Sequence, residues 1–303
     1  MAISVVICSF QRPQDLRNLL EALVQQTLLP QEVVIVDQST DDRTRRLIQG
    51  YARSPSFGID RWIYVHQKEK SLVKARNRGI KEATGDIVSF LDDDVVPLKD
   101  YLEVVSRYFQ DSSIGGVTGN LVVPQPLKGL KWETRKLLSR IFLINSFYGR
   151  MTPSSFGYPI FEEVKELREV ELFNGYSMNF RRELVEREPS DEWFSGYSFR
   201  EDVDLSYRIS RHSRLVLAPD ARFHHNYSPA NRPDVRDLQR MAFRNYLYLF
   251  KKHRSETLWY KFLFGYSVFG ILFMEFLGSF FNWNRRRLDA ISDAIAAFRR
   301  GIA

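Results

Sequence analysis

Cysteine is nearly absent from this sequence of 303 residues. Cys8 is the only one, so no disulfide can form within the chain and nothing points to an oxidising compartment. Cys8 lies in the apolar run Ile3–Ser9, where a small buried residue is expected rather than a reactive thiol. No basic segment at the N-terminus leads into a long apolar stretch and a small-residue cleavage site. No secretory leader is therefore read, and the cytoplasm is the expected compartment. Internal repeats and low-complexity tracts are also missing. The chain does have an ordinary apolar fraction of 44% and a high aromatic fraction of 14%, crowded toward the C-terminal quarter. A formal charge of +7 suits anionic partners such as nucleotides, phospholipids or nucleic acid, without choosing among them.

Two periodicities alternate along the first hundred residues. Ile3 to Cys8, Glu32 to Asp37, Ile63 to Val65 and Asp86 to Leu91 read as short buried strands. Between them, Pro13 is followed by Leu16, Leu19, Leu20 and Leu23 at helical spacing, with Asp15 in the first turn. Further helical patterns start after Arg43 and run from Leu72 to Ala83. This rhythm predicts an α/β fold with a mostly parallel sheet and helices on both faces. In such sheets ligands bind outside the carboxyl ends of the strands. Cys8-Ser9-Phe10, Asp37 and Asp92-Asp93-Asp94 all lie at strand ends, so they are expected on one rim. Tyr101 to Phe109 reads as a helix, Gly115 to Val123 as a strand, Lys128 to Tyr148 as a basic amphipathic segment and Met151–Ile160 as a loop. The composition changes near Asn231, which predicts a domain over 1–230 and a helical, aromatic-rich region over 231–303.

Three carboxylates directly after a buried strand repel one another unless a cation neutralises them. Carboxylate oxygen is the ligand that Mg²⁺ and Mn²⁺ prefer, usually one or two per ion with substrate phosphate completing the shell. A solvated acidic turn is the plain alternative. An aspartyl-phosphate phosphatase would place such a motif on its first strand; here three strand-like segments precede it.

Several segments, in order, resemble the inverting family 2 glycosyltransferases with the GT-A, Rossmann-like fold. They are Val5–Pro13, Val34–Asp41, Lys74–Gly79, Ala83–Asp86 leading to Phe90–Asp94, Asn174–Arg182 and Arg200–Leu205. The resemblance covers roughly residues 3–228. It implies that Ser9, Phe10 and Arg12 line the base and ribose of a nucleotide sugar and that Asp37 binds the nucleoside. Arg76 would meet the nucleotide or sugar, Asp92 would contact ribose or sugar beside Asp93, and Asp94 would hold the metal, Mn²⁺ or Mg²⁺. Many relatives carry a second Asp or an Asn where Gln38 stands, so both UDP- and dTDP-linked donors remain open. Asp202, with Glu201 beside it, resembles the catalytic base that takes the proton of an attacking hydroxyl; acidic residues also suit a helix N-terminus there. His224-His225 resembles a late metal-ligating histidine, with His224 the expected ligand and a structural histidine the alternative. Asn174, Gly175 and Asn179 resemble the loop facing sugar and acceptor; Trp193 and Phe194 would stack on an acceptor sugar or belong to the core.

The implied activity is metal-dependent, inverting transfer of a hexosyl or deoxyhexosyl group to a hydroxyl of a glycan or lipid-linked glycan. A sugar nucleotidylyltransferase would need a glycine-rich phosphate loop after the first strand, and Cys8 to Leu16 contains no glycine. A non-catalytic glycan- or nucleic-acid-binding protein is the other class. Nucleic acid is not expected, because the acidic triplet would repel its phosphates.

Leu258 to Trp283 is apolar and aromatic but interrupted by Lys261 and Glu275. Its longest uninterrupted apolar stretch is about 13 residues, below the ~20 of a spanning helix. Basic clusters flank it at Lys251-Lys252-His253-Arg254 and Arg285-Arg286-Arg287. An interfacial or re-entrant helix on anionic lipid is expected, peripheral on the inner face of the cell membrane. A homo-oligomer contact or a helix packed on the catalytic domain is the alternative, and a true span is the remaining one.

Overall fold

The computed structural model describes residues 1–54, 57–122, 129–228, 234–254 and 257–282. The elements in chain order are β1 (Ile3–Ser9), α1 (Pro13–Leu23), β2 (Glu32–Asp37), α2 (Arg43–Ala52), β3 (Arg61–His66) and α3 (Leu72–Glu82). Then come β4 (Ile87–Leu91), β5 (Val95–Pro97), α4 (Tyr101–Tyr108), β6 (Ile114–Leu121), α5 (Leu130–Ile141) and β7 (Arg168–Val170). The last are β8 (Ser177–Arg181), α6 (Arg182–Arg187), α7 (Glu201–Ser210), β9 (Arg214–His225), α8 (Val235–His253) and α9 (Leu258–Asn282).

The strands form one sheet in the order β3-β2-β1-β4-β8-β6-β9-β5, with β7 also on β9. The first four strands are parallel, as their separation by helices requires. Beyond β4 the sheet is mixed: β8 runs antiparallel to both β4 and β6, whereas β9 is parallel to β6. The expected mostly parallel sheet therefore describes one half. The antiparallel half arises because β8 inserts beside β4 from a distant part of the chain, which local periodicity does not reveal.

Burial follows the pattern read from the residues. Leu16, Leu19, Leu20 and Leu23 of α1 are fully buried, as are Val33 to Val36 of β2. Pro13 opens α1 where its missing N–H costs nothing. Ser71 caps α3 by accepting from the Lys74 amide. Helix α3 lies directly on β1: a Cβ at Gly79 would meet Val6 Cγ1 at 2.2 Å. Any larger residue would push the helix off the sheet, and Arg76 is buried in the same helix.

The chain divides into two compact units, Met1–Pro126 with Phe161–Arg232, and Leu127–Ile160 with Pro233–Ala303. The segment 127–160 thus groups with the C-terminal helices, whereas the composition change placed it in the first domain. Its aromatic packing explains the difference. Phe142 sits against Tyr266, Phe269 and Phe273 with ring centroids 5.4, 6.1 and 5.8 Å away. Phe156 lies 4.4 Å from Tyr246 and 5.3 Å from Phe264. The boundary near Asn231, together with Trp283 and Arg285-Arg286-Arg287, lies outside the described residues.

One buried carboxylate ties the N-terminal ends of β1 and β2 to the turn before β4. Glu32, fully buried, accepts from Ser4 Oγ and the Thr84 amide at 2.6 Å each and pairs with Arg61 at 2.8 Å. Burial alone would raise its carboxyl, but the Ser4 and Thr84 hydrogen bonds and Arg61 outweigh that and hold it below the ordinary value. A depressed folded value contributes stability above the unfolded value near 4.5 that is lost as pH falls through the folded one. We expect Glu32→Gln to lower unfolding stability by roughly 2 kcal/mol at neutral pH. In urea titrations the gap to the parent narrows as pH falls below about 4.5.

Candidate functional site

The carboxyl ends of β1 and β4 meet at the acidic triplet. Ser9, the last residue of β1, donates its hydroxyl to Asp93 Oδ2 at 2.8 Å. Arg12, in the loop before α1, reaches Asp93 Oδ1 at 3.2 Å and Asp94 Oδ2 at 3.8 Å. The turn itself is closed by Val95 N on Asp92 O, and its first amide is held by Tyr176 O at 3.2 Å. Burial pushes the Asp93 carboxyl up to about 7, against the pull of Arg12 and Ser9, and its two acidic neighbours add to the rise. Asp93 therefore faces inward and shapes the turn.

Asp94 is in a different environment. Its Oδ1 is 2.9 Å from His225 Nε2, and its Oδ2 accepts from the Ser228 amide at 2.9 Å. Burial would raise it, but the bonds and charges of His225, Ser228 and Arg12 outweigh that and keep it below the ordinary value. The His225 ring lies between Tyr176 and Tyr227, at 4.9 and 4.0 Å. Its Nδ1 is buried without a hydrogen-bond partner. The imidazole and the carboxylate, which now hydrogen-bond each other, are both donor types that a divalent cation accepts. Among the described residues no three His, Cys, Asp or Glu side chains form a complete cage. A hard cation here would take its remaining ligands from phosphate and water, as Mg²⁺ and Mn²⁺ usually do.

On the other side of the triplet, the Arg76 guanidinium is almost fully buried. It pairs through Nη1 with Glu201, donates through Nη2 to Gly175 O at 2.8 Å, and stands 3.4 Å from Asp92 Oδ1. The Gly175 peptide turns its other end to Asp202, whose Oδ2 accepts from Gly175 N at 2.8 Å. A Cβ at Gly175 would lie 3.2 Å from Arg76 Nη2 and 3.3 Å from Asp202 Oδ2, a fit tight enough that these side chains would have to give way slightly. Asp92 keeps 39% of its side chain open to solvent. Burial of its surroundings still raises its carboxyl, against Arg76. Asp202 is half-buried in the first turn of α7, where the helix N-terminus favours negative charge. The chain enters that helix through Arg200 at φ 77°, a left-handed conformation costly for a side-chain-bearing residue. Glu201 Oε2 is buried and has no hydrogen-bond partner.

Asp92, Asp93, Asp94, Ser9, Arg12, Arg76, Gly175, Asp202 and Glu201 thus lie in one connected network. Other predicted site residues stand elsewhere. His224 is exposed and pairs with Val96 in the β5–β9 ladder; its neighbour His225 is the residue on Asp94. Strand alternation explains the correction, because Ala221, Phe223 and His225 share one face, and Ala221 and Phe223 are fully buried. That apolar pair was the signal in the sequence. Asn179 is also corrected: it is fully buried in the sheet, donating to Tyr101 Oη at 2.9 Å and Val117 O at 2.8 Å. Asp37 is fully buried too, accepting from the Ser39 amide and the Tyr64 hydroxyl, so it anchors the loop after β2 and offers no surface to a nucleoside. Phe10 is half-buried at the rim, with Lys70 Nζ 3.9 Å above its ring. Asn174 is buried and accepts from Ser177 N at 3.2 Å. Trp193 is half-buried and edge-on to the fully buried Phe194. Cys8 is half-buried, and burial raises its thiol to about 12, so it is unreactive at neutral pH. The Arg76–Glu201 pair spans 125 positions, and no local pattern announced it.

Removing Arg76 strands the Glu201 carboxylate in the interior. We expect Arg76→Ala to lower unfolding stability by about 3 kcal/mol. Adding Glu201→Gln should recover much of that loss in a double-mutant cycle followed by urea denaturation. Simple additivity of the two substitutions would contradict the pairing.

Comparison with known proteins gives a consistent result. Residues 4–186 match glycosyl transferase family 2. A glucosyl-dolichyl phosphate glucuronosyltransferase of Haloferax volcanii is 24% identical over 188 residues, 61% of this chain and 54% of that protein. The chain spans about half the length of the first curated relatives it matches. A mannosyltransferase from Pyrobaculum calidifontis, solved with GDP-Man and Mn²⁺, superposes with a TM-score of 0.57 at 16% identity, covering 98% of this chain and 80% of that one. GalNAc-T7, solved with UDP, GalNAc and Mn²⁺, superposes with a TM-score of 0.61 at 16% identity over 86% of this chain and 49% of that one. The chain belongs to glycosyl transferase family 2, and the superposed structures share its GT-A fold.

Proposed function

We propose that this chain transfers a sugar from a nucleoside diphosphate sugar to a hydroxyl acceptor, inverting the anomeric centre. The observation that carries this reading is the short path from Asp92 through Arg76 and the Gly175 peptide to Asp202. In this reading Asp92 serves the donor and Asp202 the acceptor, and the path that joins them supports it. Asp202 takes the proton of the acceptor hydroxyl as its oxygen attacks C1. The bond from C1 to the diphosphate oxygen breaks on the opposite side, so no covalent sugar–enzyme intermediate forms. Asp94 and His225 would hold a divalent cation, Mn²⁺ or Mg²⁺, whose charge when bound stabilises the departing diphosphate. Arg12 and Phe10, beside the triplet and at the rim, are suited to the nucleotide, with UDP and dTDP the donor classes to test.

The acceptor is a glycan or lipid-linked glycan in this reading. The Haloferax relative, whose name states a dolichyl phosphate-linked sugar, supports the lipid-linked form. Half-buried Trp193 supplies an aromatic face for an acceptor sugar.

Incubation with radiolabelled UDP- and dTDP-sugars, Mn²⁺ and extracted lipid-linked acceptors should give labelled product. Asp202→Asn is expected to reduce kcat by about a hundredfold or more with little change in donor KM. Asp94→Ala should raise the metal concentration needed for half-maximal rate. His225→Ala should do the same, and His224→Ala should not. If neither Asp94→Ala nor Asp202→Asn affects turnover, the mechanism is wrong.

A further inference from the structure

Two features coincide in the unit formed by Leu127–Ile160 and Pro233–Ala303. The first is an exposed apolar stripe on α9. Trp259, Phe262, Phe269 and Phe276 are 63, 62, 59 and 58% exposed, and they recur every three or four residues or multiples of that, along one face of the helix. The opposite face is packed within the unit: Leu263, Phe264 and Ser267 are buried, and a Cβ on Gly270 would already touch Phe142 at 2.2 Å. Helix α5 ends at that same Phe142, whose ring lies against Phe269 of the stripe. It brings its own exposed apolar residues, Leu130, Leu137 and Ile141, among exposed Lys131 and Arg135.

The second feature is charge. By sequence this unit holds 18 Lys and Arg against 7 Asp and Glu, a formal +11. The other unit holds 26 against 30, a formal −4, and the two together make the +7 of the chain. The entire positive excess therefore belongs to the unit that exposes the aromatic stripe.

We infer that α5 and α9 together form a docking surface for a bilayer rich in anionic headgroups, with α9 lying in the plane of the interface. Aromatic side chains on one face of a helix, bordered by lysine and arginine, suit the boundary between headgroups and acyl chains. Basic residues near such a surface are drawn to anionic lipid, each by a modest and salt-sensitive amount. A second copy seated on the same stripe would bring two strongly positive units together, which works against a dimer there. By length and composition α9 could cross a membrane over Leu258–Leu277, but the exposed Lys261 and the packing of Leu263, Phe264 and Ser267 within the unit favour the in-plane placement. This inference stands apart from the transferase reading.

The test is flotation of the full chain with phosphatidylcholine vesicles, with and without phosphatidylglycerol. The parent should float only with the anionic vesicles, lose binding as salt rises, and come off in alkaline carbonate. Trp259→Ser/Phe262→Ser should weaken binding by about tenfold or more. Lys131→Glu/Arg135→Glu should weaken it as well and flatten its salt dependence. These side chains are solvent-exposed, so circular dichroism should match the parent for both variants. Equal flotation of the aromatic variant and the parent would overturn the inference. So would a parent dimer in light scattering that the aromatic variant converts to monomer, which would assign the stripe to a second copy. Retention after carbonate would make α9 a span. Flotation needs no turnover, so its failure leaves the donor assay untouched, and the reverse also holds.

Discussion

The buried guanidinium of Arg76 is the constraint on which the site depends. An arginine cannot shed its proton inside a protein, so its surroundings must supply compensating charge and acceptors. Glu201, the Gly175 carbonyl and Asp92 do so, and they come from three distant parts of the chain. Helix α3 carries Arg76 inward, because Gly79 lets that helix settle directly on Val6 of β1. Asp92, the Gly175 loop and the start of α7 are thereby bound to one rigid group. A buried pair of this kind is weak support for net stability, since apolar residues often serve as well or better. Its value is geometric: the Gly175 peptide that satisfies Arg76 at one end orients Asp202 at the other.

The three consecutive carboxylates divide their roles for reasons of the same kind. Asp93 turns toward Ser9 and Arg12 and is pushed toward neutrality by burial. Asp94 is held ionised by His225 and the Ser228 amide. Asp92 stays partly open beside Arg76. A strand can project alternate residues to opposite faces, but a turn closed by Val95 N on Asp92 O gives three successive side chains three directions. A charge cluster that would repel itself on one surface becomes an anchor, a histidine-paired carboxylate and a solvent-facing one.

Much of this was legible from local pattern. The four parallel strands, α1 with its buried leucines and the convergence of Ser9 with the triplet follow from periodicity and from where strands end. The rest was not, because it depends on contacts between residues far apart in sequence. The antiparallel half of the sheet requires β8 beside β4, and that pairing joins Phe90 to Met178 across the chain. Asn179 reads as a loop residue until that pairing carries it into the core. Asp37 reads as a ligand contact until Tyr64, on the neighbouring strand, takes one of its oxygens. The choice between His224 and His225 was within reach, since Phe223 and Ala221 already declared which face of β9 points inward.

Net charge hid the most. A value of +7 for the whole chain suggested mild attraction to anions of any kind. Divided along the compact units, it separates a slightly acidic α/β unit from a strongly basic helical one. The two then call for different partners. The acidic unit holds its carboxylates in hydrogen-bonded and ion-paired networks. The basic unit exposes an aromatic stripe that does not match a soluble anion. A small anion would be satisfied by charge alone and would leave that stripe in water. A surface that presents negative charge above hydrocarbon satisfies both features at once.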